Sequence, residues 1–216
     1  MEACLCTSYG VSALNANIAC DEEKMVGAMS EDYFTRALTP DDWQEFAAIR
    51  LEALQKYPQF FGATYAEESA YTQEQWRDFL GKEGRYFFGL YTDKSFIGIT
   101  GVVQGKLDPT GATGLMVASY IKQEYQGNRL AEKLYAARIV AALDHLQWKK
   151  LVIGHREGNE PSRRANQKWG FCFTHKESRT WPDGTIADDY HYELDLEELR
   201  SNDSHPIHRQ LNEHRN

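Results

Sequence analysis

The hydrophobic positions along the chain change period several times, and each change marks an element. Phe34 to Leu38 reads as a short apolar strand, and Thr39-Pro40-Asp41-Asp42 follows with a residue able to cap orphan amides and a proline suited to a first helical turn. Trp43, Phe46, Ala47, Leu51 and Leu54 then recur at helical spacing, which predicts a helix with one face to a core, ending before Pro58. Beyond a loop around Gly62, Thr72 and Gln75 form a capping box ahead of Trp76, Phe79 and Leu80, and this predicts a second short helix. The period changes again over Tyr86 to Tyr91 and Phe96 to Val103, two strands of a hairpin turning at Asp93-Lys94. Thr113 to Ile121 predicts a third strand after the turn-rich Asp108-Pro109-Thr110-Gly111.

From Asn128 to about Leu146 the spacing is helical once more, with Leu130, Leu134, Ala137 and Ala141 on one face, and this is the longest helix expected. Lys150 to His155 is apolar without alternation, the pattern of a central strand covered on both faces. Glu160 to Trp169 predicts a helix opened by Pro161 and stopped by Gly170. Two more strands, Phe171 to Trp181 and Ile186 to Leu196, flank the turn Pro182-Asp183-Gly184. The order is strand, two helices, three strands, helix, strand, helix, two strands, which predicts one α/β domain with a mixed sheet. Residues 1–32 show no clean period and read as a flexible extension, and 199–216 read as a polar tail, leaving the domain at 33–198. The tail's His205, His208 and His214 lack the cysteine or carboxylate companions of a built site, so no metal is expected.

Composition narrows the partners. The chain has 216 residues with 24 Lys plus Arg against 32 Asp plus Glu, a formal charge of −8 that repels polyanions and argues against general nucleic-acid binding. No apolar run approaches the roughly 18 to 20 residues a membrane span requires, so no membrane partner is expected. Cys4, Cys6, Cys20 and Cys172 have neither the spacing of a disulfide scaffold nor that of a zinc site, and Glu2 stands where a secretory signal carries a basic residue. The expectation is a soluble protein of the reducing cytoplasm.

The chemistry concentrates in Ile121-Lys122-Gln123-Glu124-Tyr125-Gln126-Gly127-Asn128-Arg129-Leu130-Ala131, where a strand runs through a turn into the longest helix. Such a junction points unpaired N–H groups and the positive end of the helix dipole at one place, which suits an anion. The turn lacks both the Lys-Ser/Thr of a Walker loop and the three glycines of a dinucleotide fold, so the reading is a pyrophosphate, without the marks of an ATP or NAD site. A second segment, Asn159-Glu160-Pro161-Ser162-Arg163-Arg164-Ala165-Asn166-Gln167-Lys168-Trp169-Gly170-Phe171, follows the next strand. Together the two resemble the GNAT superfamily of acyl-CoA-dependent N-acetyltransferases. The family's turn reads Arg/Gln-x-x-Gly-x-Gly/Ala, matched here at Gln126 and Ala131, with Arg129 in place of the middle glycine. Its later stretch reads Asn-x-x-Ala/Ser and then Gly-Phe, matched by Asn159, Ser162 and Gly170-Phe171.

The resemblance implies a mixed, mostly antiparallel central sheet with flanking helices and a splayed strand pair, and acetyl-CoA as the acyl donor. The amides of Gln126, Gly127, Asn128, Arg129, Leu130 and Ala131 would hold the CoA pyrophosphate, the main chain near Ile121 would pair with the pantetheine arm, and Asn159 with Ser162 would meet that arm from the other side. Arg129 either crowds the phosphates or grips them with its own charge. Asn166 stands where many members carry a tyrosine that protonates the departing thiolate, a task beyond an amide; the branch resembling ribosomal-protein and related N-terminal acetyltransferases, with a Ser and a Lys where Ser162 and Lys168 stand, commonly lacks that tyrosine. The family's chemistry is direct attack by a neutral amine, so a proton must leave an ammonium of pKa near 10. Glu67 and Glu68 lie in a stretch, Phe60 to Ser69, that resembles the loop between the first two helices of a bacterial subset, and Glu68 is the candidate base. Ser119 and Tyr120 are candidate relays, and Ser162 is a candidate donor to the thiolate. Tyr135 and Arg138 read as packing and surface residues. The expected acceptor is a small-molecule or peptide amine and the expected state a monomer or homodimer. The alternative reading is a non-catalytic acyl-CoA-binding or interaction module of the same fold, with Arg129 and Asn166 as marks of decay.

Overall fold

Strands β1 (Phe34–Ala37), β2 (Arg85–Tyr91), β3 (Phe96–Gln104), β4 (Thr113–Ile121), β5 (Lys150–Arg156), β6 (Cys172–Thr180) and β7 (Ile186–Asp195) form one seven-stranded sheet in the order β1-β2-β3-β4-β5-β7-β6. The protein is described as a computed structural model over residues 32–106 and 108–214. The readings of the N-terminal extension, apart from Asp32, and of Cys4, Cys6 and Cys20 lie outside those residues. Every neighbouring pair of strands is antiparallel except β4 and β5, which run parallel. The α/β architecture with a mixed sheet expected from the element order, mostly antiparallel as the resemblance implied, is therefore the one present.

Helices α1 (Trp43–Lys56), α2 (Tyr65–Glu68) and α3 (Gln73–Gly81) precede β2; α4 (Ala131–Asp144) joins β4 to β5; α5 (Glu160–Lys168) joins β5 to β6; α6 (Leu196–Ser201) and α7 (Pro206–His214) close the described chain. The two faces of the sheet take different helices because side chains alternate along a strand. On β2, Phe87 packs on Phe46 of α1 with ring centroids 5.2 Å apart, whereas Leu90 clusters with Leu134 of α4 and with Leu130 just before it. The α4 face also holds Trp148, Leu151, Trp169 and Phe171, together with Leu196, Leu199, Ile207 and Leu211 of the last two helices.

Local signals explain most element ends. Thr72 accepts from the Gln75 amide at 3.3 Å while Gln75 Oε1 accepts from the Thr72 amide at 2.8 Å, the reciprocal cap read from the sequence. Three features differ from expectation. The long helix starts at Ala131 rather than Asn128, because Gly127 and Arg129 take φ of 85° and 59°, outside the right-handed helical region. β5 is not covered on both faces: Leu151, Ile153 and His155 are buried towards α4, whereas Val152 and Arg156 are half-buried and Gly154 is exposed on the α1 face. The segment from Pro206 to His214, within the polar tail, is a helix whose buried Ile207 and Leu211 are too sparse to register as a period. Just ahead of it, Arg200 of α6 donates to the carbonyls of Ala142, Leu143, His145 and Trp148 at 2.7–3.2 Å, satisfying the open C-terminal end of α4.

Candidate active site

The site begins where β4 and β5 part. They pair only through Thr113 with Lys150, Gly114 with Leu151 and Leu115 with Val152; beyond these, the β5-facing edge of β4 from Met116 to Ile121 has no strand partner. At the same place β4 bulges against β3: Gly101 is opposite Val117 and Ile99 opposite Tyr120, so Ala118 and Ser119 face the single residue Thr100. Ala118 has φ of 57°, an unusual conformation for a residue with a side chain, and it bends the strand at the divergence. The Ser119 hydroxyl is 2.9 Å from that of Thr100.

The turn that leaves the gap is built around its own carbonyls. Gln126 Nε2 donates to the Ile121 carbonyl at 2.8 Å, and Asn128 Nδ2 donates to the Tyr125 carbonyl at 3.3 Å. Among the described residues, the amides of Gly127, Asn128, Arg129, Leu130 and Ala131 donate to no protein acceptor, although those of Tyr125, Gln126, Glu132 and Lys133 do. The amides of five consecutive residues at the mouth of α4, together with the helix dipole, thus suit an anion such as a pyrophosphate. Leu130 is buried, and the side chains of Asn128 and Arg129 are exposed. A left-handed conformation costs a non-glycine residue about 1–2 kcal/mol. Arg129→Gly is expected to raise the melting temperature by roughly 2 to 8 °C, and to change acetyl-CoA affinity by less than tenfold. A hundredfold loss of affinity would show the guanidinium to be a phosphate grip.

Across the gap, Asn159 caps α5 by accepting the Ser162 amide at 3.2 Å, which leaves its Nδ2 and the half-buried Ser162 hydroxyl without a hydrogen bond among the described residues. Asn166 points elsewhere. It is fully buried and accepts the Tyr135 hydroxyl at 2.5 Å, joining α5 to α4. Tyr135 packs as expected, stacked on Trp169 with centroids 5.7 Å apart. Arg138 is not a surface residue: it is 1% exposed, lies over the Tyr135 ring at 4.6 Å and donates through Nε to the Leu134 carbonyl. Burial lowers its pKa to about 10.

The carboxylates sort by burial and partner. Glu68 is 3% exposed, and both its oxygens accept from Arg50 at 2.8 Å. Glu67 reaches back to cap Thr64. Tyr120, by contrast, donates its hydroxyl to Glu52 Oε1 of α1 at 2.8 Å. Burial and then Glu52 push the phenol's pKa up, so it holds its proton. Burial works to raise the Glu52 carboxyl, but hydrogen bonds from Lys56 and Tyr120 prevail and hold it below its ordinary value. Glu52 carried no signal in the sequence beyond its i,i+4 spacing to Lys56, 2.7 Å away here. On the other side of the gap, Arg156 at the end of β5 donates to the Gln59 carbonyl at 3.0 Å, to Asp183 at 2.7 Å and to the Thr185 hydroxyl. Its bond to Asp183, with help from Thr185, pulls that carboxyl down to about 2.

A family model described as "Acetyltransferase (GNAT) domain" matches residues 34–172, from β1 to the first residue of β6. The chain belongs to the GNAT acetyltransferase family. A search of the curated proteins finds no match. Among solved structures, the chain is similar to an acetyltransferase of the GNAT family from Streptococcus pneumoniae, with 17% identity, a TM-score of 0.65 and coverage of 76% of this chain and 98% of that one. It is similar also to the ribosomal-protein-S5-alanine acetyltransferase from Vibrio fischeri, at 14% identity and TM-score 0.64, covering 78% and 95%. A third is the spermidine N-acetyltransferase from Vibrio cholerae in complex with CoA and spermine, at 12% identity and TM-score 0.63, covering 78% and 98%. At these identities the likeness is one of fold.

Proposed function

We propose that this GNAT chain transfers the acetyl group of acetyl-CoA to a primary amine by direct attack, with both substrates bound at once. The observation that carries the proposal is the set of unpartnered amides from Gly127 to Ala131 beside the unpaired edge of β4. The cradle suits the CoA pyrophosphate, the free edge of β4 up to Ile121 suits the amides of the pantetheine arm, and Asn159 Nδ2 and Ser162 supply polar groups from α5. Neighbours of the same fold are described with CoA bound, which accords with this donor.

Within the gap, a main-chain amide at the Ala118–Ser119 bulge would polarise the thioester carbonyl as the amine attacks. We assign the amine's proton to Tyr120, whose hydroxyl accepts it while passing its own to Glu52; Ser119 flanks this relay. Glu68 is not given that task because Arg50 occupies both its oxygens. Ser162 remains the candidate donor to the departing thiolate. Since a thiol has a pKa near 8.5, that donation matters less than positioning.

Thiol release from acetyl-CoA, followed with a panel of primary amines, tests the reading. Amine-dependent release is expected. Tight CoA binding that no amine converts into thiol release would favour a binding module instead.

A further inference from the structure

The two substrates of a direct transfer must reach one carbon from different sides, and the fold separates those sides. The anion cradle belongs to α4, so the carrier arrives on the α4 face. The α1 face is left to the amine, and Tyr120 lies on it, bound to Glu52 of α1. On this face no helix among the described residues seals the splayed half of β5, where Gly154 is exposed. Arg156, on the same face, ties the α1–α2 loop and the β6–β7 turn to the end of β5, and its guanidinium lies 5.2 Å from the centroid of the Trp181 ring. The open surface between these ties and Tyr120 borders the gap.

Asp189 of β7 opens onto that surface. The residue is only 6% exposed, and its carboxylate is only half satisfied. Oδ2 accepts from Arg179 Nη1 at 3.1 Å and lies 3.8 Å from His191 Nε2. Oδ1 accepts no hydrogen bond among the described residues. It lies over Gly154, where an added Cβ would come within 3.0 Å of it. Oδ1 is thus free to accept from outside the chain, and a cationic donor makes the strongest hydrogen bond to a carboxylate oxygen. Glycine at 154 is what keeps the approach clear.

We propose that Asp189 Oδ1, over Gly154, is an acceptor subsite for a second positive charge, so that the preferred acceptor is a dicationic amine: one amino group reacts and the other ammonium binds Asp189. The proposal rests on the acetyl-transfer reading and narrows it to a substrate class. A hydrogen bond to a charged group contributes about 1.5–3 kcal/mol, or roughly tenfold to hundredfold in affinity.

The test compares α,ω-diaminoalkanes of increasing length with the monoamines of equal length, in the wild type, Asp189→Asn and Gly154→Ala. In the wild type, kcat/KM for the best diamine is expected to exceed that of its monoamine by tenfold or more, mainly through KM. Both substitutions are expected to bring the ratio close to one, Asp189→Asn by removing the charge and Gly154→Ala by obstructing it while leaving the charge in place. Arg179 is 40% exposed in its side chain, so water takes up its charge in Asp189→Asn, and a melting curve checks that the fold persists. A purely structural role for Asp189 would lower both amines alike and preserve the ratio, which would overturn the subsite. Equal use of diamines and monoamines by the wild type would overturn it too, with acetyl transfer intact. Turnover of no amine by a chain that binds acetyl-CoA would overturn acetyl transfer, and the subsite with it.

Discussion

Glu68→Gln is expected to destabilise the protein by about 3–5 kcal/mol, the cost of stranding a buried charge when its partner is removed. Arg50 is nearly as buried as Glu68, its Nη1 has no hydrogen-bond partner among the described residues, and its guanidinium lies 5.1 Å from the centroid of the Phe61 ring. For a chain of this size the loss corresponds to roughly 6 to 20 °C in melting temperature. Replacing both residues, as in Arg50→Met with Glu68→Leu, should recover most of it, because well-packed apolar residues of similar volume substitute for a buried pair at little cost. The pair of experiments also decides what Glu68 is for. If Glu68→Gln melts like the wild type and loses turnover, Glu68 is the base and the assignment to Tyr120 and Glu52 fails.

Gly127→Val is expected to spare the fold and weaken acetyl-CoA binding by about a hundredfold or more. A Cβ at Gly127 meets nothing within 4 Å, so space is not the obstacle. The obstacle is φ of 85°, which a β-branched residue cannot hold without strain, and the turn must re-route its following amides. Losing two charge-assisted hydrogen bonds to phosphate, at about 1.5 kcal/mol each, accounts for the stated factor. Calorimetric titration with acetyl-CoA alone reads this without any acceptor. An unchanged dissociation constant would place the pyrophosphate elsewhere. Arg129→Gly is the contrasting change in the same turn, since there glycine relieves a strain that valine at 127 would impose.

What could be read in the sequence was what neighbours in the chain determine. The capping box of Thr72 and Gln75 and the hairpin period of β2 and β3 are each contained within a dozen or so residues and lie where their pattern placed them, and the strand-turn-helix junction is present too, although its helix begins at Ala131 and not at Asn128. Arg129 was legible as a departure from its family's glycine, but its left-handed backbone was not, because that follows from how the turn closes on Ile121 and Tyr125. The partnerships that sort the carboxylates were out of reach for a different reason. Arg50 and Glu68 are 18 residues apart, and Glu52 and Tyr120 are 68 apart, so burial and sheet order alone bring them together. The open face of β5 was hidden for the same cause: an apolar run shows that one face is buried, and only the placement of the helices shows whether the other is.

The central claim, that the amides at the mouth of α4 hold the pyrophosphate of acetyl-CoA, is tested most directly by following backbone amide resonances while CoA is titrated. The account predicts that the amides of Gly127, Asn128, Arg129, Leu130 and Ala131 shift most, that they slow in hydrogen exchange, and that 3′-dephospho-CoA reproduces the effect because the pyrophosphate is retained. Saturable binding that leaves these five resonances in place, or no binding at all, would contradict it.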